Sequence, residues 1–201
     1  TRDAADELTQ RRTTTAERIA ADAVKHLEEL GFRSPTVAFR FEAAELGPTG
    51  SDRTTLFFAS DAGLTPGPVG RIASGGELSR LVLAIRLAAG VGEAEVVAFD
   101  EIDAGIGGTT ALAMGRKLAA LAAGRQVLCV THLPQVAAFA DQHLVVTRED
   151  AAATVAVAAG ADRLEELSRM LAGMPESERG KEHAAELLEA AGKSEILSDL
   201  G

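Results

Sequence analysis

Two short aliphatic runs, Val96-Val97-Ala98-Phe99 and Val127-Leu128-Cys129-Val130, each stop at polar residues, and the stretch between them has room for about one helix. A brief all-apolar strand, a helix and a second brief strand predict neighbours in an α/β sheet whose faces are both covered by helices. Ligands of open α/β sheets bind beyond the carboxyl ends of the strands. Here those ends carry Asp100-Glu101 and Thr131-His132. The pattern therefore fixes where chemistry can gather before anything else in the chain is read.

The remaining segments arrange themselves around that unit. Residues 3–30 predict one helix with a thin apolar stripe, Leu8, Ile19, Ala23, Leu27 and Leu30, interrupted by Arg12 and Thr15 and stopped by Gly31. Such a stripe suits either the end of a coiled-coil arm entering a globular head (residues 1–32) or a helix capping the domain surface. Thr36–Glu42 and Thr54–Phe58 alternate apolar and polar residues around the loop Leu46–Asp52 and predict an antiparallel pair. Ser60–Ile72 is a Gly/Pro-rich loop. Helices are expected over Glu77–Ala89, Thr109–Ala122, Leu133–Phe139, Asp162–Ala172 and Ser177–Ala191, with Asp162 and Glu165 as a capping-box-like start. Leu144–Val146 and Thr154–Val157 read as two more strands. The whole predicts an α/β lobe over residues 33–201, its sheet mainly parallel, with antiparallel additions and flanking helices.

Composition narrows the partners. With aromatics at 3% and neither Trp nor Tyr, the core has to be aliphatic and alanine-rich. The formal net charge of −10 makes the chain a poor stand-alone ligand for nucleic acid, whose binding relies on Lys and Arg neutralising phosphates. No apolar run approaches the roughly 20 residues that cross a membrane, and Thr1-Arg2-Asp3 does not open a signal peptide. A single cysteine, Cys129, fits a reducing cytoplasm.

Three stretches carry the chemistry. Ser74-Gly75-Gly76-Glu77 precedes a helix with strong apolar periodicity at Leu78, Leu81, Val82 and Ile85. Free N–H groups at a helix start, the helix dipole and a serine hydroxyl make an anion site, and two glycines let a phosphate approach the backbone. The same residues also read as a plain N-cap. Asp100 and Glu101 point in different directions beyond their strand, so one can hold Mg²⁺ through water while the other orients or deprotonates an attacking water. An acidic helix N-cap after a strand is the competing reading. His132 is placed to hydrogen-bond a γ-phosphate or position the lytic water; His26, His143 and His183 read as structural. Glu77 and Asp100 lie 23 positions apart, and Glu101 and His132 lie 31 apart, each gap holding about one helix and one strand.

In that order and spacing the three stretches resemble the signature motif, Walker B with catalytic Glu, and switch histidine of the ATP-binding-cassette (ABC) ATPases. Asp100-Glu101-Ile102-Asp103 departs from the Asp-Glu-Pro-Thr of transporter subunits and is similar to heads of the SMC (structural maintenance of chromosomes) class. The stretches from Ala73 to Arg80, Phe99 to Gly108, Val130 to Ala137 and Arg163 to Gly173 resemble the bacterial RecN family of DNA repair proteins, as the C-terminal half of such a protein. The resemblance implies ATP and Mg²⁺ as cofactors, with Ser74, Gly75, Gly76 and Glu77 presented in trans to the γ-phosphate. It further implies Asp100 at the metal, Glu101 as catalytic base and His132 as catalytic γ-phosphate contact. No G-x-x-x-x-G-K-[ST] loop is present in the sequence. An ATPase built on this chain would need an N-terminal half of the same head to bring that loop. The implied partners are that half, a second head in an ATP-bound homodimer, and double-stranded DNA held by the full assembly, in a nucleoid-associated bacterial cytoplasm without membrane contact. ABC proteins usually place an Asp in the loop after Walker B; the aligned residues here are Ala104-Gly105-Ile106-Gly107, a Gly-rich form shared by RecN-like proteins.

Several mimics fail. Gly192-Lys193-Ser194 lacks the earlier glycine of a phosphate loop, where Leu187 stands, and Gly180-Lys181-Glu182 lacks the hydroxyl. Gly105-x-Gly107-x-x-Thr110 lacks the third glycine of a dinucleotide fingerprint, and Arg125 stands near the place of its ribose-binding acid. A non-catalytic, ATP-gated dimerisation module is the rival of another class, and a transporter subunit the remaining enzyme alternative.

Overall fold

The computed structural model describes residues 1–71, 74–90, 96–149, 152–173 and 177–193. Ile72 and Ala73, at the junction of the Gly/Pro-rich loop and the Ser-Gly-Gly stretch, lie outside these residues, as does Ser194 of the failed phosphate-loop mimic. The described chain forms two compact units, one of residues 1–104 with 124–128, the other of residues 105–123 with those from 129 onward.

The first unit is built on a long helix, α1 (Arg2–Glu29), and a hairpin of β1 (Thr36–Gly47) and β2 (Gly50–Ala59). Antiparallel pairing runs from Thr36↔Ala59 to Gly47↔Gly50, with a bulge between Ala43 and Gly47. The predicted loop thus contracts to Pro48-Thr49, because both strands continue past the apolar alternation that announced them. What holds those polar ends is α1. The Asp52 carboxylate, with its side chain 5% exposed, accepts from Arg12 Nη1 at 2.8 Å and from Thr9 Oγ1. The break in the α1 stripe at Arg12 is therefore a polar continuation of the same packed face, whereas Thr15 is exposed.

Below this latch the helix buries Ala23 and Leu27 against Val37, Phe58, Leu81, Ala84 and Ala88. Phe32 meets Phe58 edge-on, centroids 5.6 Å apart. After Glu29, the Gly31 and Phe32 N–H groups donate to Glu28 and Leu27 carbonyls, closing the helix end. A short strand, β3 (Gly67–Pro68), pairs with β2 and was not visible in the sequence. The helix α2 (Gly75–Ala89) packs on α1, and Arg18 Nη1 donates to Ala88 O at its far end, at 3.4 Å.

The strands β4 (Val96–Phe99) and β5 (Gln126–Cys129) are neighbours in a two-stranded sheet. They are joined through α3 (Gly108–Ala122), the helical crossover that parallel neighbours need. The expectation of cover on both faces is not met within the first unit: Val97 and Phe99 are buried, but Val96 is 52% and Leu128 48% exposed. The chain's own helices reach one side of an all-apolar strand.

In the second unit, α4 (Pro134–Ala137), α5 (Gly160–Ala172) and α6 (Glu178–Ala190) surround Ala137, Ala138, Leu167, Ala184, Leu187 and Leu188. The ribbon of β6 (His143–Glu149) and β7 (Ala152–Ala158) is antiparallel, so most paired residues of the fold lie in antiparallel sheets. The helix α5 begins at Gly160, two residues before the expected capping box and with Ala159 as its N-cap, which leaves Asp162 in its first turn, favourable to the dipole. Ser177 does cap α6, accepting from Gly180 N–H at 3.2 Å.

Two consequences are measurable. A Cβ on Gly115 of α3 would strike the Phe139 ring and stand 3.0 Å from Gln135 O. Gly115→Ala should therefore lower stability by about 1–3 kcal/mol, read as a drop in urea midpoint at unchanged slope. Burial, and secondarily the Arg163 charge, hold the His143 imidazole below its ordinary pKa of 6.5. Its Nδ1 has no hydrogen-bond partner among the described residues. A group depressed in the folded state contributes stability above its unfolded pKa and loses it as pH falls toward the folded value. Stability should thus be level above about pH 7 and fall as pH drops below 6.5, with a slope of at most one proton that His143→Gln removes.

Candidate functional site

The first unit gathers two of the three motif stretches. At the start of α2, Ser74 is extended and its Oγ accepts the Glu77 N–H at 3.4 Å, one half of a capping box. The other first-turn N–H groups form the positive end of a fifteen-residue helix. Ser74 and Gly75 are exposed, Gly76 is buried and Glu77 is partly buried.

The β4 strand delivers Asp100 and Glu101, both exposed, to this helix start. Asp100 Oδ1 accepts the Glu101 N–H at 2.9 Å, and the Asp100 carbonyl accepts from Ser79 Oγ at 3.0 Å. Glu101 has φ of 55°, the left-handed region that a side chain occupies only under constraint. The Ala104 N–H closes the turn on Glu101 O at 3.0 Å.

The glycine pair is used internally. A Cβ on Gly75 would stand 2.6 Å from Glu101 Oε2; one on Gly76 would meet Ala104 Cβ at 3.0 Å and Glu101 O at 3.1 Å. Glycine at 76 is thus required by the chain's own Glu101–Ala104 turn, where the sequence had suggested room for a phosphate or a plain N-cap.

Sequence reasoning assigned no role to Arg80. It is 8% exposed, with Nη1 donating to Ile102 O at 3.1 Å and to Ala104 O at 2.9 Å, and with its guanidinium 5.2 Å from the Phe32 ring centroid. Burial lowers its pKa, opposed by the Glu77 and Asp103 carboxylates. The visible signal was a cation beside Leu81 and Ala84 on the core side of an amphipathic helix.

His132 lies in the second unit, exposed, between β5 and α4. There the Leu133 N–H donates to Thr131 Oγ1 at 3.0 Å, and Pro134 starts α4. The expected helix to Phe139 is a single turn, held from behind by Arg163, which donates to the carbonyls of Ala137, Ala138 and Ala140 at 3.3, 3.2 and 2.6 Å. Arginine at a helix carboxyl end binds the unpaired carbonyls and complements the dipole.

Among the described residues no group of three or more His, Cys, Asp or Glu is assembled to cage a metal. Asp100 fits Mg²⁺ only as a lone exposed carboxylate, which is the usual protein share when phosphates and water complete the shell. No helix among the described residues is long and apolar enough to cross a membrane.

No family model matches the chain. It is 43% identical over 205 residues to the DNA repair protein RecN of Streptomyces coelicolor, covering 93% of this chain and 36% of that protein. It is 50% identical over 153 residues to RecN of Mycobacterium leprae (75% and 26%), and 38% identical over 196 residues to RecN of Xylella fastidiosa (94% and 35%). The chain thus spans about a third of the length of these relatives. Among solved structures it is similar to an Smc head domain with a coiled coil and joint from Pyrococcus yayanosii, with a TM-score of 0.53 and 20% identity over 88% of this chain and 29% of that one. An Smc head domain from Pyrococcus furiosus gives 0.50 and 19%, over 70% and 34%. The fold is that of an SMC-type head lobe, and the chain belongs to the RecN family, corresponding to about a third of such a protein.

Proposed function

We propose that this chain supplies one side of a composite ATP site in an SMC-like DNA repair ATPase. Ser74, Gly75, Gly76 and Glu77 present N–H groups and a hydroxyl to the γ-phosphate of ATP held by another head. Asp100 holds Mg²⁺ through water, Glu101 accepts the proton of the attacking water, and His132 contacts the γ-phosphate. Bound Mg²⁺ would neutralise charge on the phosphates. The phosphate-cradling loop belongs to the remaining RecN polypeptide.

The observation that carries this reading is that the helix start at Ser74–Glu77 and the Asp100-Glu101 turn are hydrogen-bonded into one piece, with the Glu101 carboxylate against Gly75. An anion is favoured at that helix end, so the carboxylate rests where a phosphate would compete with it. Support for a missing half comes from the exposed Val96 and Leu128 on otherwise apolar strands, a face that the remaining polypeptide would cover. The net charge of −10 supports a reading in which other parts of a dimeric, nucleoid-associated cytoplasmic assembly contact double-stranded DNA.

Hydrolysis of MgATP by the chain alone, and by the chain joined to the remaining RecN polypeptide, tests the proposal. Turnover is expected only in the combined protein, and Glu101→Gln should cut kcat by about 10²–10⁴ while trapping ATP-bound dimers. Undiminished turnover in that variant would sink the base assignment. ATP-dependent dimers without turnover in the unsubstituted protein would instead identify a gating module.

A further inference from the structure

Burying a guanidinium is a costly way to fill a helix–turn contact. A hydrophobic side chain of similar volume is often at least as stabilising, and Arg80 Nε has no partner among the described residues. What the guanidinium adds is direction. Its Nη1, carried on a rigid planar group, binds the carbonyls of both Ile102 and Ala104, the first and third residues after Glu101. On the other side, Ser79 Oγ binds the Asp100 carbonyl just before Glu101. Adjacent residues of α2 therefore grip the backbone on both flanks of a residue held at φ of 55°.

Removing the grip frees Glu101 to relax toward negative φ, which swings its carboxylate relative to Ser74–Glu77. Gly76 serves the same contact, since a Cβ there would stand 3.2 Å from Arg80 Nη1. Phe32, at the end of the α1–β1 connection, faces the guanidinium from the core side.

We propose that Arg80 is a positioning residue for hydrolysis, fixing the Glu101 backbone against the start of α2 so that general base and signature residues move as one body. This rests on the reading of Glu101 given above. A lysine ammonium, one bond shorter, stops short of the Nη1 position from which both carbonyls are bound, and methionine fills the space without charge or donor.

The test places Arg80→Lys and Arg80→Met in the full RecN polypeptide containing this chain. The readouts are kcat and KM for MgATP, the unfolding midpoint, and amide hydrogen exchange. Both variants are expected to keep α1 and the β1–β2 hairpin protected while exchange at residues 102–105 accelerates by about ten-fold or more. They should lower kcat by about ten-fold with KM altered less than about two-fold, because the grip affects the reacting geometry and not nucleotide capture. Unchanged exchange at 102–105 overturns the clamp whatever the turnover. Accelerated exchange with normal kcat overturns the positioning role, and so does loss of protection throughout α1 and the hairpin, which would make Arg80 a general staple. Should Glu101→Gln leave turnover intact, the reading of Glu101 fails separately, and the exchange arm still decides whether Arg80 holds the turn.

Discussion

The contact between α2 and the turn after β4 is the constraint on which the rest of the first unit depends. A helix start and a strand end are each poor at fixing a position, because both terminate in unpaired backbone groups. Here side chains of α2 satisfy the strand end. Ser79 and Arg80 supply donors to three carbonyls of residues 100, 102 and 104, and Gly76 removes the side chain that would hold the two backbones apart. The site is accurate because it is assembled from backbone groups set by hydrogen bonds, and its side chains need only stand on them.

That arrangement links outward to the arm-like helix. The α2 face that carries Arg80 also buries Leu81, Ala84 and Ala88 against α1, and α1 is in turn pinned to the hairpin through the buried Asp52. A tilt of α1 therefore cannot be absorbed by a soft loop within this unit. It is passed to α2, whose first turn holds Gly75, Gly76 and Glu77. Close-packed interiors transmit displacement in this way because they have no free volume to take it up.

Much of this was legible in the sequence, for identifiable reasons. Periodicity placed α2, β4, α3 and α6 to within one or two residues, since their apolar positions repeat cleanly. The motif spacing brought Ser74–Glu77 and Asp100-Glu101 to the right strand and helix ends. Hidden from it were features governed by polar or backbone contacts. The hairpin ran on beyond its alternation because Asp52 binds Arg12, forty positions away. Arg80 and Arg163 drew no role from the sequence, yet both are buried on carbonyls of distant turns. Apolar β4 predicted cover on two faces, a correct statement about what the strand requires and a wrong one about what this chain provides.

The stretch Ala104-Gly105-Ile106-Gly107 after the Glu101 turn begins at the same contact. At Ala104 the carbonyl, not a side chain, receives Arg80, while the Cβ stands 3.0 Å from where a Gly76 Cβ would be. A carboxylate at that position would have to fit against a backbone already at close approach, beside a guanidinium whose hydrogen bonds from Nη1 are directed at main-chain oxygens. Residue 104 is free to be small because Arg80 reaches past it. By the same geometry, Gly76 and Ala104 constrain each other's size: enlarging either one forces the turn, and Glu101 with it, away from the start of α2.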